Sequence, residues 1–231
     1  WLKENRIYAL DRFSERYEEQ LVELRHVEQL LMSALGLLDK GHYLPPPREV
    51  RLDIREVAST YFREWLMVTP LPNVDETPFS TTDYLEAMGG ELHVRPGVTQ
   101  EFDFQGEIYR WHRTESSSLD IVHLDDLYPQ HAHNTVMYAY ATINSPVDAT
   151  VRAAIGSKDG IEIILNGKRE FSYQNERALS LDEDVITLPL SSGRNHLMLK
   201  ITQGEGDGWG FSFRLLDVTT HNNKNRYYIQ F

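Results

Sequence analysis

The sequence predicts a mainly β protein, an antiparallel jelly-roll β-sandwich with an N-terminal α-helical segment. One observation behind this is the stretch Val151–Leu215, where apolar and polar residues alternate through run after run. Another is the dipeptide Asn166-Gly167 inside that stretch, the composition of a two-residue hairpin turn with both residues at positive φ. A third is a seven-residue recurrence near the start, Leu10, Tyr17, Leu24, Leu31 and Leu38, in a stretch without proline.

Residues 1–44 are expected to form the helical segment, with Phe13, Val27 and Ala34 between the main apolar positions. At 1.5 Å rise per residue the apolar stripe is about 40 Å long. It reads equally as a coiled-coil or docking helix that joins a protein assembly and as a helix folded back on its own sandwich. Asp39-Lys40-Gly41 ends it, and residues 45–49, with Pro45-Pro46-Pro47, make a stiff linker. The sandwich is expected over 50–218. Val50, Leu52 and Ile54 alternate as a strand, and Trp65–Val68 is a second, stopped by Pro70 and Pro72. A short helix is expected between Ser80 and Met88, with hydroxyls and Asp83 at its start and Gly89-Gly90 as its stop. Phe102, Phe104, Ile108 and Trp111 mark aromatic strands, and Val136–Ile143 is a strand whose Tyr138 and Tyr140 share a face.

In the organising stretch, Ile161, Ile163 and Leu165 face a core, and Lys168–Tyr173 returns as the second arm of the hairpin. Ile186, Leu188 and Leu190 precede a turn at Ser191-Ser192-Gly193, after which Leu197, Leu199 and Ile201 point inward. A glycine-rich loop, Gly204–Gly210, leads to Phe211, Phe213 and Leu215. These strands cannot leave a shared apolar face in water, so they are expected to form one sheet of the sandwich, with the partner sheet drawn from upstream. The tail, 219–231, is polar and then aromatic and reads as a docked last strand.

Composition excludes several classes. With 231 residues, 41% hydrophobic and 11% aromatic, the chain is an ordinary globular one. It has no apolar run near the roughly 20 residues that cross a bilayer. A net charge of -12, from 35 acids against 23 bases, argues against nucleic acid. The absence of cysteine removes disulfides, thiol catalysis and cysteine-held metals. Position 1 is Trp, with no signal-type segment after it, so the chain reads as processed or trimmed. No Gly-x-Ser-x-Gly elbow, HExxH helix or P-loop is present. The acids cluster at turns such as Asp182-Glu183-Asp184, where solvation accounts for them, so no enzyme is expected.

Several short motifs occur together: Glu64-Trp65-Leu66 followed by Pro70, Thr82-Asp83-Tyr84-Leu85, Gly89-Gly90-Glu91, Tyr138-Ala139-Tyr140-Ala141, Gly156-Ser157-Lys158-Asp159-Gly160, Leu165-Asn166-Gly167 and Gly208-Trp209-Gly210-Phe211. From Phe62 to Asp217 the chain resembles the galactose-binding-like jelly-roll modules of bacterial exported carbohydrate-active and surface proteins. The Ser-x-Asp-Gly and Leu-Asn-Gly portion is similar to the sugar-binding domain named after anthrax protective antigen. The resemblance implies a non-catalytic, extracytoplasmic bacterial module (periplasmic, secreted or cell-surface) that binds carbohydrate or another surface ligand. Its ligand-binding residues would be Asp159, Asn166, Lys168, Asp207 and Trp209. It also implies neighbouring aspartates around Ca²⁺, but here Asp159 stands alone behind Lys158, and an adjacent ammonium opposes a hard cation. No cofactor is therefore expected; calcium is the one alternative left open, and the Lys158 ammonium stands against it.

Trp209, in a loop with glycines 204, 206, 208 and 210 beside Glu205 and Asp207, has the composition of a sugar-stacking site, and equally that of a cap on the core. His131-x-His133, with His123, Asp125 and Asp126 nearby, has a metal-compatible spacing, but its plain reading is a polar loop before Val136, which leaves the metal unassigned. The alternative function is a purely structural subunit, anchored in a larger complex by its N-terminal helix and C-terminal tail.

Overall fold

The computed structural model describes residues 61–231 except 119, 131–132, 205, 207, 217, 223–225 and 231. The expected helix with its Leu10, Tyr17, Leu24, Leu31 and Leu38 stripe, the proline linker and the Val50–Arg55 strand lie outside the described residues, as does Asp207. The described residues belong to the compact unit Asp53–Phe231.

That unit is mainly β, with two antiparallel sheets. The larger holds β1 (Glu64–Val68), β2 (Leu71–Pro72), β3 (Glu101–Phe104), β4 (Glu107–Glu115), β6 (Thr135–Ser145), β8 (Ile161–Leu165), β9 (Lys168–Tyr173), β11 (Gly193–Gln203), β13 (Thr219–Asn222) and β14 (Arg226–Gln230). Its main order is β3-β4-β1-β6-β11-β8-β9. One edge of β6 pairs with β11 from Thr135 to Ser145. The other edge is shared in sequence by β2, β1 and β14, the last pairing parallel. The smaller sheet is β10-β7-β12-β5, built from β5 (Val122–His123), β7 (Ala149–Ser157), β10 (Asp184–Leu190) and β12 (Gly210–Leu216). Among the described residues, no helix is long and apolar enough to cross a membrane.

The strand periodicity places one continuous core between the sheets. Met137, Ala139, Ala141 and Ile143 of β6, with Leu197, Leu199 and Ile201 of β11, are fully buried. Val151, Ala153 and Ile155 of β7 and Phe211, Phe213 and Leu215 of β12 join the same cluster from the smaller sheet. Trp65 bridges the layers, with its ring 5.4 Å from that of Phe211 and 6.1 Å from that of Phe213. Phe62 stacks on Tyr227 of β14, and the Tyr227 hydroxyl donates to Glu64 O at 3.1 Å.

Three expectations are corrected. The stretch Val151–Leu215 does not form one sheet: β8, β9 and β11 lie in the larger sheet, and β7, β10 and β12 in the smaller. The short links 158–160 and 191–192 pass between layers, and alternation marks the inward residues of a strand without marking the layer it joins. Nor is β8 one-sided, because Glu162 and Ile164 are as buried as Ile161 and Ile163. The cause is a cover formed by residues 73–94 over the outer face of the large sheet, with Phe79, Tyr84, Leu85 and Val94 buried.

The third correction concerns Ser80–Met88, which holds only a 3-10 turn at Glu86–Met88. Its hydroxyls and acids organise loops instead of capping a helix. Asp75 accepts from the backbone N–H groups of Thr81 and Thr82 and from the hydroxyls of Ser80 and Thr82. Asp83 accepts from the N–H groups of Leu85 and Glu91. Burial pushes the Asp75 carboxyl up, but the hydrogen bonds outweigh it and hold the group at about 2.

An ionic knot fastens the cover to the sheet. Lys200 of β11, 1% exposed, donates to Thr82 O at 2.7 Å and to Glu91 Oε2 at 3.2 Å, while the Tyr138 hydroxyl donates to the same carboxylate at 2.8 Å. Arg169 reaches both Glu91 and Glu162. Each buried charge thus has an opposite charge within reach, the condition for carrying it inside a sheet face.

Candidate functional site

The two ends of the β6–β11 pair are defined by Thr135 opposite Gln203 and by Ser145 opposite Gly193. The loops at the Thr135 end enclose a cleft of about 500 Å³, lined by Pro70, Pro72, Phe104, Gln105, Glu107, Tyr109, Gln130, His133, Asn134 and Thr135. A second cleft of about 330 Å³ is lined by Glu76, Thr77, Pro78, Asn134, Glu176 and Gly204. Asn134 lines both, so the loops at this end form one polar surface with two depressions.

Local chemistry explains why these side chains hold their places. Phe102, Phe104 and Tyr109 pack as an aromatic group, with Phe102 on Tyr109 at 5.8 Å and Phe104 against Tyr84 at 4.8 Å. Between β3 and β4 the chain reverses through Gln105 (φ 55) and Gly106 (φ 87), and Asp103 Oδ1 accepts from Gly106 N at 3.1 Å. Two successive left-handed residues suit the twist of a hairpin, and they leave Gln105 and Glu107 exposed at its tip. Asn134, also left-handed at φ 49, is held from both sides: its N–H donates to Gly204 O at 3.0 Å and its carbonyl accepts from Asn73 N at 2.8 Å. Burial, with Glu107 beside it, raises the Tyr109 phenol above its usual value, so it stays a neutral hydroxyl.

Among the described residues, the larger cleft combines a ring surface, two prolines, three side-chain amides, one carboxylate and one imidazole, with no lysine or arginine. Amides and carboxylates pair well with adjacent hydroxyls, and ring faces with the C–H face of a sugar.

The residues expected to bind ligand are dispersed. Asp159 is fully buried, in a left-handed turn (φ 56). It pairs with Lys158 at 2.8 Å and accepts from the N–H groups of Arg177 at 3.2 Å and Gly204 at 3.1 Å, so its carboxylate ties the loop after β11 to the β7–β8 link. Trp209 is also fully buried, and its carbonyl accepts from Leu124 N and Asp125 N. Its ring lies in the core and offers no face to solvent. Asn166 and Lys168 sit beyond the other end of the five-residue strand β8, about 17 Å away at strand rise. There the Asn166 amide donates to Asn195 Oδ1 and accepts from His196 N, each at 2.8 Å, and Lys168 pairs with Glu170. These four do not form one site. Gln105, Glu107, Gln130 and Asn134 went unrecognised in the sequence; the detectable signal was Gln105-Gly106 between aromatic runs.

His123, Asp125 and Asp126 bring one ligand atom each within 4.8 Å of one another beside α1 (Leu124–Leu127). His133 instead lines the larger cleft, and His131 lies outside the described residues.

No protein-family model matches the chain, and no curated protein matches it. Solved structures similar to it include the PA14 domain of the antifreeze protein MpAFP (14% identity, TM-score 0.29, covering 41% of this chain and 47% of that one). A family 35 carbohydrate-binding module from Clostridium thermocellum is similar at 14% identity and TM-score 0.26, over 35% of this chain and 70% of that one. A GH2 β-galacturonidase from Eisenbergiella tayi is similar at 10% identity and TM-score 0.36, over 74% of this chain and 29% of that one. The match thus spans about half the antifreeze-protein domain and under a third of the glycosidase.

Proposed function

We propose that the sandwich is a non-catalytic, extracytoplasmic jelly-roll module of the galactose-binding-like kind. It binds a neutral carbohydrate, or another hydroxyl-rich surface ligand, in the cleft at the Thr135 end of β6. The observation that carries this is the lining itself: Gln105, Gln130, Asn134 and Glu107 around Phe104, Tyr109 and Pro72, with no lysine or arginine among the described residues. Glycoside hydrolysis ordinarily uses a pair of carboxyl groups, and among the described residues Glu107 is the one carboxylate lining this cleft, which supports binding without turnover.

A glycan array probed with calcium and again with chelator tests the proposal. Binding to neutral glycans under both conditions, with no release of reducing ends on incubation, is the expected result. Silence towards neutral glycans, or turnover, would overturn it.

A further inference from the structure

We propose that the outer face of the large sheet carries a second site, beside the Asn166-Gly167 turn, that binds the oxyanion of an acidic ligand, a carboxylate or a sulfate group. It lies at the opposite end of β6 from the cleft, so either site can fail alone.

The site is built from three elements. Arg194 and His196 lie on one face of β11, in register with Asn144 and Thr142 of β6. Arg226 of β14 is in register with Thr142 from the other side, which brings it onto the same face. Arg95 comes from the end of the cover. Its Nη1 donates to Val94 O at 2.8 Å, and its Nη2 lies 4.0 Å from where a Cβ on Gly167 would sit. Both Arg95 and Arg194 are near enough to act electrostatically on Tyr140 and His196.

These arginines lack carboxylate partners, as does Arg113 of β4 among the described residues. In a chain of net charge -12, Arg63, Arg110, Arg169, Arg177 and Arg214 each pair with a carboxylate. Arg95, Arg194 and Arg226 are exposed and pair with none among the described residues. The acids on the same sheet face, Glu91 and Glu162, are already engaged by Lys200 and Arg169. Guanidinium groups present planar donor forks that match a carboxylate or sulfate.

His196 supplies a neutral donor between them. Its Nδ1 lies 2.6 Å from the Tyr140 hydroxyl, and its backbone N–H is held by Asn166 Oδ1. Burial, and then the two arginines, push the imidazole below its usual value, so it is neutral at pH 7. Burial raises the Tyr140 phenol, which therefore keeps its proton and donates it to Nδ1. The imidazole proton is then on Nε2, free to donate to an oxyanion. Beside Arg194, the Asn144 amide nitrogen is buried without a hydrogen-bond partner, a further donor lacking an acceptor.

The test is a ¹H–¹⁵N NMR titration of the whole chain with sodium sulfate and, separately, sodium glucuronate, at ionic strength held constant with sodium chloride. Saturable shifts centred on the amides of Arg95, Asn166, Gly167, Arg194 and His196 are expected with at least one probe. Saturation by sulfate alone assigns a sulfate ligand, by glucuronate alone a carboxylate, and by both a general oxyanion site. Arg194→Gln and, independently, Arg95→Gln should each weaken binding about tenfold, the scale of one charged hydrogen bond. Arg110→Gln, whose side chain is paired with Glu101, should leave binding unchanged. Non-saturating shifts with both probes, or wild-type affinity in both Arg194→Gln and Arg95→Gln, would overturn the site.

Discussion

The two ends of the large sheet share the same β6–β11 ladder yet present opposite chemistry. At the Thr135 end, amides, Glu107, Glu76 and Glu176 surround the clefts, and among the described residues no lysine or arginine lines them. At the Ser145 end, Arg95 and Arg194 act on His196 and Tyr140 and Arg226 lies across Thr142 on the same face, all without carboxylate partners among the described residues. The ladder fixes spacing and leaves chemistry to the residues at its ends, which is how a sandwich can offer a neutral and an anionic specificity at once. Between the ends, the outer face is closed by the cover and its Glu91–Lys200 knot.

The comparison breaks first if Trp209 is a binding platform. Its complete burial predicts that Trp209→Ala costs about 3–5 kcal/mol of stability in chemical denaturation. A variant with wild-type stability and lost glycan binding would place the ring in the site instead. The knot should be nearly as sensitive. Glu91→Gln leaves Lys200 buried beside a neutral amide and should cost about 3–5 kcal/mol. A Glu91→Gln, Lys200→Met double variant should recover part of that loss, and failure to recover would mean the knot does not act as a pair.

Asp75 sharpens the comparison from the loop side. Its folded carboxyl is held at about 2, below the ordinary 3.8, so its contribution is fully present above pH 4 and lost as pH falls through about 2. Asp75→Asn should cost about 1–3 kcal/mol at pH 7, through the lost hydrogen bonds to 80–82. The gap between variant and wild type should close in denaturation curves near pH 2, and a gap unchanged by acid would contradict the assignment.

Much of the ladder was legible in the sequence, because local signals determine it. Asn166 and Gly167 adopt φ 52 and 86 and join β8 to β9 as the turn chemistry required. Trp65–Val68 is a strand ended before Pro70 as its apolar run implied, and the inward residues of β11 are where alternation put them. Layer assignment was not legible, because alternation marks which residues of a strand face inward and not which sheet the strand joins. The cover was not legible either: Glu91 and Lys200 are 109 positions apart, and a charged residue in a strand reads as solvent-facing unless its partner is known. Asp159 and Trp209 have the side-chain chemistry of a sugar site, but the buried Asp159 carboxylate ties loops together and the Trp209 ring packs in the core. Gln105 and Gln130 carry no pattern of their own and gain meaning from the fold that brings them beside Tyr109.

The smallest stability effects should fall on the cleft itself. Glu107→Gln and Gln130→Ala alter exposed side chains and should shift stability by no more than about 0.5 kcal/mol. That makes them the sharpest probes of the central claim. The direct measurement is calorimetric titration of a neutral glycan into wild type, Glu107→Gln, Gln130→Ala and an Asn166→Ala, Lys168→Ala double variant. The account predicts about a tenfold loss of affinity for each cleft variant and wild-type affinity for the double variant. Loss of binding in the double variant, with wild-type affinity in both cleft variants, would contradict it.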